Sequence, residues 1–168
     1  VQSIGWQDWK NSGETAGTTG KNYRIEAIQI RVVKANPEII EYSAHVQSIG
    51  WQDWTVNGAI AGTEGKALRL EAMKINLLGM PNATIKYRVH VQSIGWQDWK
   101  NSGEVAGTVG KNLRMEAIQI EASGLPYGYE LQYRVHVQNE GWQQWKKSGE
   151  IAGTEGKKLR EEAIQIRI

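Results

Sequence analysis

In Tyr87-Arg88-Val89-His90-Val91-Gln92, the apolar Tyr87, Val89 and Val91 alternate with the polar Arg88, His90 and Gln92. A period of two places the first set on one face of a β-strand and the second set on the other. The stretch Ala117-Ile118-Gln119-Ile120 alternates in the same way. Between two such strands glycine recurs too often for a helix of three turns, so no helix of useful length is predicted. Gly13, Gly58, Gly103 and Gly149 each predict a turn, and Asn57-Gly58 is a favoured hairpin-turn dipeptide. The A-G-T-x-G-K stretch predicts a tight loop feeding the last strand. The chain's three prolines lie in "KANPEII" (Pro37), "LGMPNAT" (Pro81) and "SGLPYGY" (Pro126). Each of these connectors predicts the tip of a β-hairpin that joins the second strand of one unit to the first strand of the next.

The pattern is written four times. Trp6, Trp51, Trp96 and Trp142 are spaced by 45, 45 and 46 residues, and such a fixed period marks solenoids, propellers or closed rings. The recurring frame is V-Q-x-x-G-W-Q-x-W-x-x-x-G-x-x-A-G-T-x-G-K-x-x-R-x-E-A-x-x-I. A unit of about 45 residues is too small to bury its own apolar face, so neighbours must share a core. The expectation is one domain over 1–168 with units at 1–45, 46–90, 91–136 and 137–168. Its fold class is all-β: a closed, pseudo-fourfold ring, built as a shallow barrel of hairpins or a small propeller. The first and last units each lack a hairpin partner, and pairing of the two termini would close the ring without an exposed edge. A threefold body from about Tyr42 onward, with the first copy outside it, is the alternative. Tyr42-Ser43-Ala44-His45 departs from the later Tyr-Arg-Val-His and gives that alternative weight.

Composition narrows the function classes. A net charge of +2 is too small and too evenly spread for a nucleic-acid footprint. Without cysteine there is no disulfide framework and no thiolate chemistry. No apolar run approaches the roughly 18 residues of a membrane span. Val1 opens directly on a repeat with no signal segment, so the chain reads as a mature or trimmed fragment.

The strongest chemical signal is the G-W-x-x-W pair at Trp6/Trp9, Trp51/Trp54, Trp96/Trp99 and Trp142/Trp145. An indole can fill a core or stack on the apolar face of a sugar ring. Because the chain has no Phe, Trp6, Trp51, Trp96 and Trp142 are expected as core residues. Trp9, Trp54, Trp99 and Trp145 stand beside polar turns and are the candidates to face a ligand. Between the indoles lie Gln7-Asp8, Gln52-Asp53, Gln97-Asp98 and Gln143-Gln144, donors and acceptors suited to a hydroxyl-rich ligand. They could equally be turn residues bonded to their own backbone.

Arg24/Glu26, Arg69/Glu71, Arg114/Glu116 and Arg160/Glu162 sit two apart, on one face of a strand, and are expected as structural ion pairs tying neighbouring copies together. His45, His90 and His136 could meet at a ring axis as metal ligands, but the first copy has no equivalent and no second ligand stands at the right spacing. "GTTGK", "GTEGK" and "GTVGK" lack the loop length, the following hydroxyl and the helix of a phosphate-binding loop. No cofactor or metal is implied. Four copies of roughly the same groups, with Ala59 where the others carry Glu14, Glu104 and Glu150, argue against an active site. They favour multivalent binding instead.

"HVQSIGWQDW", "AGTVGK" and "LRMEAIQI" together resemble the clostridial hydrophobic repeats with an invariant Trp, the ChW repeats, across their whole length and in all four copies. The resemblance implies a secreted or cell-surface protein of a Gram-positive bacterium, with accessory modules that bind polysaccharide, cell wall or host surface. Its carried-over positions are Gly5-Trp6, Gly50-Trp51, Gly95-Trp96 and Gly141-Trp142. Two functions are therefore expected to compete. One is a non-catalytic, lectin-like module for a glycan or cell-wall polysaccharide with several equivalent sites. The other is a structural or adhesion module for surface proteins, with buried tryptophans and function at drifting positions such as Thr15, Ile60, Val105 and Ile151.

Overall fold

The computed structural model describes residues 1–8, 10, 14–30 and 39–168. Where the repeat predicts one domain of four equal units, the chain divides into two compact units, Val1–Asn36 and Pro37–Ile168. Among the described residues there is no helix, and so none long and apolar enough to cross a membrane.

In the larger unit the second copy supplies β1 (Ile40–Val46), β2 (Gly50–Trp51), β3 (Thr55–Val56), β4 (Ala61–Gly62) and β5 (Leu70–Leu77). The third supplies β6 (Thr84–Val91), β7 (Gly95–Trp96), β8 (Lys100–Asn101), β9 (Ala106–Gly107) and β10 (Met115–Ser123). The fourth supplies β11 (Gln132–Val137), β12 (Gly141–Trp142), β13 (Lys146–Lys147), β14 (Ile151–Gly153) and β15 (Glu161–Arg167). In each copy the Tyr-x-x-His strand pairs antiparallel with the last strand of the same copy, as Tyr42 opposite Ile75, Tyr87 opposite Ile120 and Tyr133 opposite Ile166.

This pairing corrects the expected hairpins. β5 and β6, joined through Pro81, belong to different sheets, as do β10 and β11, joined through Pro126; the connector around Pro37 lies outside the described residues. Alternation reports which face of a strand is apolar but not which strand lies beside it. The glycine-rich stretch is long enough to bring the chain back to its own copy.

The fifth strand of every sheet comes from another copy. β9 pairs with β5, β14 with β10, and β4 with β15. The exchange thus runs from the second copy to the third, from the third to the fourth and from the fourth to the second. No single sheet closes into a barrel. β15 has β11 on one side and β4 on the other, so the expected pairing of the termini is not what occupies its edge.

The core follows from the strand alternation. Tyr42, Tyr87 and Tyr133 are fully buried with Ile40, Ile75, Val89, Ile118, Val135 and Ile164. Each tyrosine hydroxyl links two copies as well as filling space. Tyr42 donates to Ala59 O and accepts from Ile166 N at 3.0 Å; Tyr87 donates to Glu104 O and accepts from Ile75 N at 3.0 Å; Tyr133 donates to Glu150 O and accepts from Ile120 N at 3.1 Å. Burial pushes all three hydroxyls up to about 12. The exchanged strands also explain an invariant letter. A Cβ on Gly107 would lie 2.6 Å from Ala72 Cα, and Gly107 has φ of +103°, so only glycine lets β9 approach β5.

The first copy, taken by itself, forms no regular strand among its described residues. Its Ile28 and Ile30 are 69% and 82% exposed, although Ile118, the counterpart of Ile28 in the third copy, is fully buried.

Candidate functional site: the paired tryptophans

The G-W-x-x-W segment turns directly out of the Tyr-x-x-His strand. β2, β7 and β12 carry the first tryptophan back against the histidine of that strand, as His45 opposite Trp51, His90 opposite Trp96 and His136 opposite Trp142. The rings meet edge to face at 5.4–5.6 Å. None of these tryptophans is a core residue, contrary to expectation: Trp51, Trp96 and Trp142 are half-buried, and Trp6 is 67% exposed. The central cavity is filled by tyrosine, isoleucine and valine, which leaves the indoles on the outer layer. Of the second tryptophans, Trp99 and Trp145 are half-buried and Trp54 is 44% exposed; Trp9 lies outside the described residues.

The glutamines between the indoles have a structural task. Gln52 accepts from Gly62 N at 2.6 Å and donates to Gly62 O at 3.1 Å. Gln97 does the same with Gly107, and Gln143 with Gly153. Gln7 accepts from Gly17 N at 2.8 Å and reaches Gly17 O at 3.5 Å. The amide thus grips the segment that, in the larger unit, its copy lends to a neighbour. Both of its hydrogen-bonding ends are used there, so Gln52, Gln97 and Gln143 are not free for a ligand. The next residues are: Asp53, Asp98 and Gln144 are exposed, and neither aspartate has a hydrogen-bond or ion-pair partner among the described residues. Asp8 is likewise exposed.

The Arg–Glu pairs form within a copy, and Arg69 Nη2 also donates across a copy boundary to Asn112 Oδ1 at 3.4 Å. Arg69 donates to Glu71 Oε1 at 2.7 Å, and His45 Nδ1 stands 3.1 Å from Glu71 Oε2, close enough for an ion pair but not aligned as a hydrogen bond. Arg114–Glu116–His90 and Arg160–Glu162–His136 repeat this. Each histidine therefore has its own copy's carboxylate beside it. In the first copy, Arg24 and Glu26 are 3.5 Å apart on the surface. Glu104 and Glu150 accept from Asn101 N and Lys147 N and staple their turns.

Cations cover the tryptophan pairs, and sequence reasoning missed this feature. Arg88 lies 4.9 Å from the Trp96 ring and 4.8 Å from the Trp99 ring; Arg134 lies 4.9 Å from Trp142 and 4.7 Å from Trp145. Each arginine is held in place by a neighbouring glutamine, Arg88 to Gln119 at 2.9 Å and Arg134 to Gln165 at 2.8 Å. A second cation covers the outer indole, Lys86 over Trp99 at 4.5 Å and Arg167 over Trp145 at 3.9 Å. The signal was present in the contrast between Tyr-Arg-Val-His and Tyr-Ser-Ala-His, but its meaning required knowing that this position faces the indoles.

A family model described as Clostridial hydrophobic W (ChW) matches residues 1–34, 45–79, 90–124 and 136–168. No curated protein and no solved structure matches the chain.

Proposed function

The chain belongs to the ChW family, and from that premise we propose that it is a non-catalytic, extracellular module that binds carbohydrate through its tryptophans. The observation that supports this reading is the placement of the indoles. They lie in the outer layer, half-buried or exposed, next to unpartnered Asp53 and Asp98. A flat apolar face beside a free acceptor matches the alternation of C–H faces and hydroxyl edges on a sugar ring. A glycan array and isolated Gram-positive cell walls test the reading, with intrinsic tryptophan fluorescence as the readout. Saturable binding with a spectral change supports it, and the absence of binding to any sugar or wall overturns it.

A second reading, an adhesion module for surface proteins, is favoured by a different observation. Ile49, Ile60, Ile94, Val105 and Ile151 are all exposed aliphatic side chains at recurring positions, of the kind that contact protein partners. Binding to host or bacterial surface protein with no glycan response would select it.

A further inference from the structure

Three copies built on one frame do not present three equal surfaces. The second copy carries Ser43 where the others carry Arg88 and Arg134, and Lys74 where they carry the glutamines Gln119 and Gln165 that hold those arginines. Arginine and its anchor are therefore lost together. The second cation is lost as well, because Glu41 stands in the place of Lys86 and bonds Asn76 at 2.8 Å. Among the described residues no cation lies over Trp54.

The inner indole is also freed. Trp96 Nε1 donates to Glu155 Oε1 and Trp142 Nε1 donates to Glu64 Oε1, both at 2.6 Å and both across a copy boundary. The residue of the third copy in register with Glu64 and Glu155 is Val109, whose side chain carries no acceptor. Trp51 Nε1 accordingly donates to none of the described residues. Trp51, Asp53, Trp54 and Ile60 line an open depression of about 530 Å³. Its charged neighbours are the carboxylate of Asp53 and the ammonium of Lys74, 4.5 Å from the Trp51 ring. With Glu41 close by in sequence register, the surroundings disfavour an anion.

Resting on the carbohydrate reading above, we propose that within residues 39–168 the ligand is taken by the second copy alone, as an uncharged pyranose stacked on Trp54. Asp53 accepts from a ring hydroxyl and Trp51 Nε1 donates to another. Arg88 and Arg134 occupy the corresponding place in the third and fourth copies and close it. Valence in this unit is set by the cations over the outer indole, Arg88 with Lys86 in the third copy and Arg134 with Arg167 in the fourth, where the second copy has none over Trp54 among the described residues. A ring entering the closed copies would have to displace a guanidinium that is both stacked and hydrogen-bonded.

The test uses the full chain with cellotetraose as neutral probe and tetragalacturonate as acidic probe. Tryptophan oxidation by N-bromosuccinimide is mapped by mass spectrometry with and without sugar. In the free chain Trp54 should be oxidised at least several-fold faster than Trp99 and Trp145, and equal rates would sink the closure of the two other copies whatever binds. Cellotetraose should protect Trp54 and leave the rates at Trp99 and Trp145 unchanged. Trp54→Ala, at an exposed position, should weaken binding about tenfold or more, and Lys86→Ala combined with Arg88→Ser, which removes both cations from Trp99, should raise the number of bound sugars. Protection at Trp99 or Trp145, or preference for tetragalacturonate, overturns the assignment. If neither sugar binds while Trp54 still reacts fastest, the openness of the second copy stands and the neutral-sugar ligand is overturned with the reading it rests on.

Discussion

Residues 1–30 and residues 90–120 spell almost the same sentence, yet they fold differently. Ile118 and Ile120 are fully buried in the third copy, while Ile28 and Ile30 in the first are exposed. The third copy has β6 to cover its last strand, β14 to cover the far edge, and Tyr133 Oη to cap Ile120 N. Within these 168 residues the first copy has no Tyr-x-x-His strand of its own. The repeated frame therefore encodes half of an interface, and its apolar face is satisfied only when strands of the same and a neighbouring copy arrive.

The largest effect that separates the two regions should come from tyrosine. Tyr87→Ala removes a buried ring and leaves Ile75 N and Glu104 O without their partner, and should cost about 3–5 kcal/mol in the unfolding of residues 39–168. Tyr23→Ala, at an exposed position of the first copy, should change stability by no more than about 0.5 kcal/mol. Equal losses in chemical denaturation would mean that the first copy is packed as the others are.

Glycine gives a sharper contrast because the letter is identical. Gly107→Ala drives a Cβ into the backbone of β5 and should cost about 1–3 kcal/mol from overpacking, with the left-handed φ adding to it. At Gly17 the nearest atom to such a Cβ is Ile25 Cδ1, at 3.9 Å. Gly17→Ala should thus show the φ strain alone, about 1 kcal/mol. Thermal unfolding of the two variants checks the difference.

A third contrast lies at the position filled by Ile25, Leu70, Met115 and Glu161. Leu70 and Met115 are fully buried, and so is Glu161, whose two carboxyl oxygens have no hydrogen-bond partner. Burial raises its carboxyl from the ordinary 4.5 to about 8. The folded chain then holds a proton that the unfolded chain releases, so stability falls as pH rises through this window, by up to about 1.4 kcal/mol per unit, and levels off above it. Glu161→Met should remove that slope and stabilise the chain by about 1–3 kcal/mol at neutral pH. A parent and variant with parallel pH–stability curves would show that Glu161 ionises at its ordinary pH.

The smallest effect is a gain. Placing the Thr84–His90 sequence ahead of Val1 should supply the first copy with a strand, slow amide exchange at Ala27-Ile28-Gln29-Ile30 and quench the exposure of Trp6. No added protection would mean that a lent strand from a further copy is also required.

Much of the fold could be read from the sequence. The fixed spacing of the tryptophans, the alternation in Tyr-x-Val-x-Val and the density of glycine determine four repeats, with short strands in the second to fourth and no helix among the described residues, because these are local consequences of side-chain period and backbone freedom. That Tyr87, Val89 and Val91 share the buried face also follows from the alternation, whereas the tryptophans expected in the core lie outside it. What only the tertiary structure decided is partnership. Strand period cannot say that β5 returns to β1 instead of turning into β6, or that β15 takes β4 at its edge, since any strand with the same apolar face satisfies the same pattern. The site divides along the same line. That the indoles belong together is written in G-W-x-x-W, but the duty of Gln52 as a backbone clamp and the plugging of Trp99 by Arg88 arise from residues brought together across strands. Ser43 is one unlike letter in the sequence, and its meaning appears only in the folded strand, where its hydroxyl donates to Gln52 O at 2.7 Å, in the segment between Trp51 and Trp54.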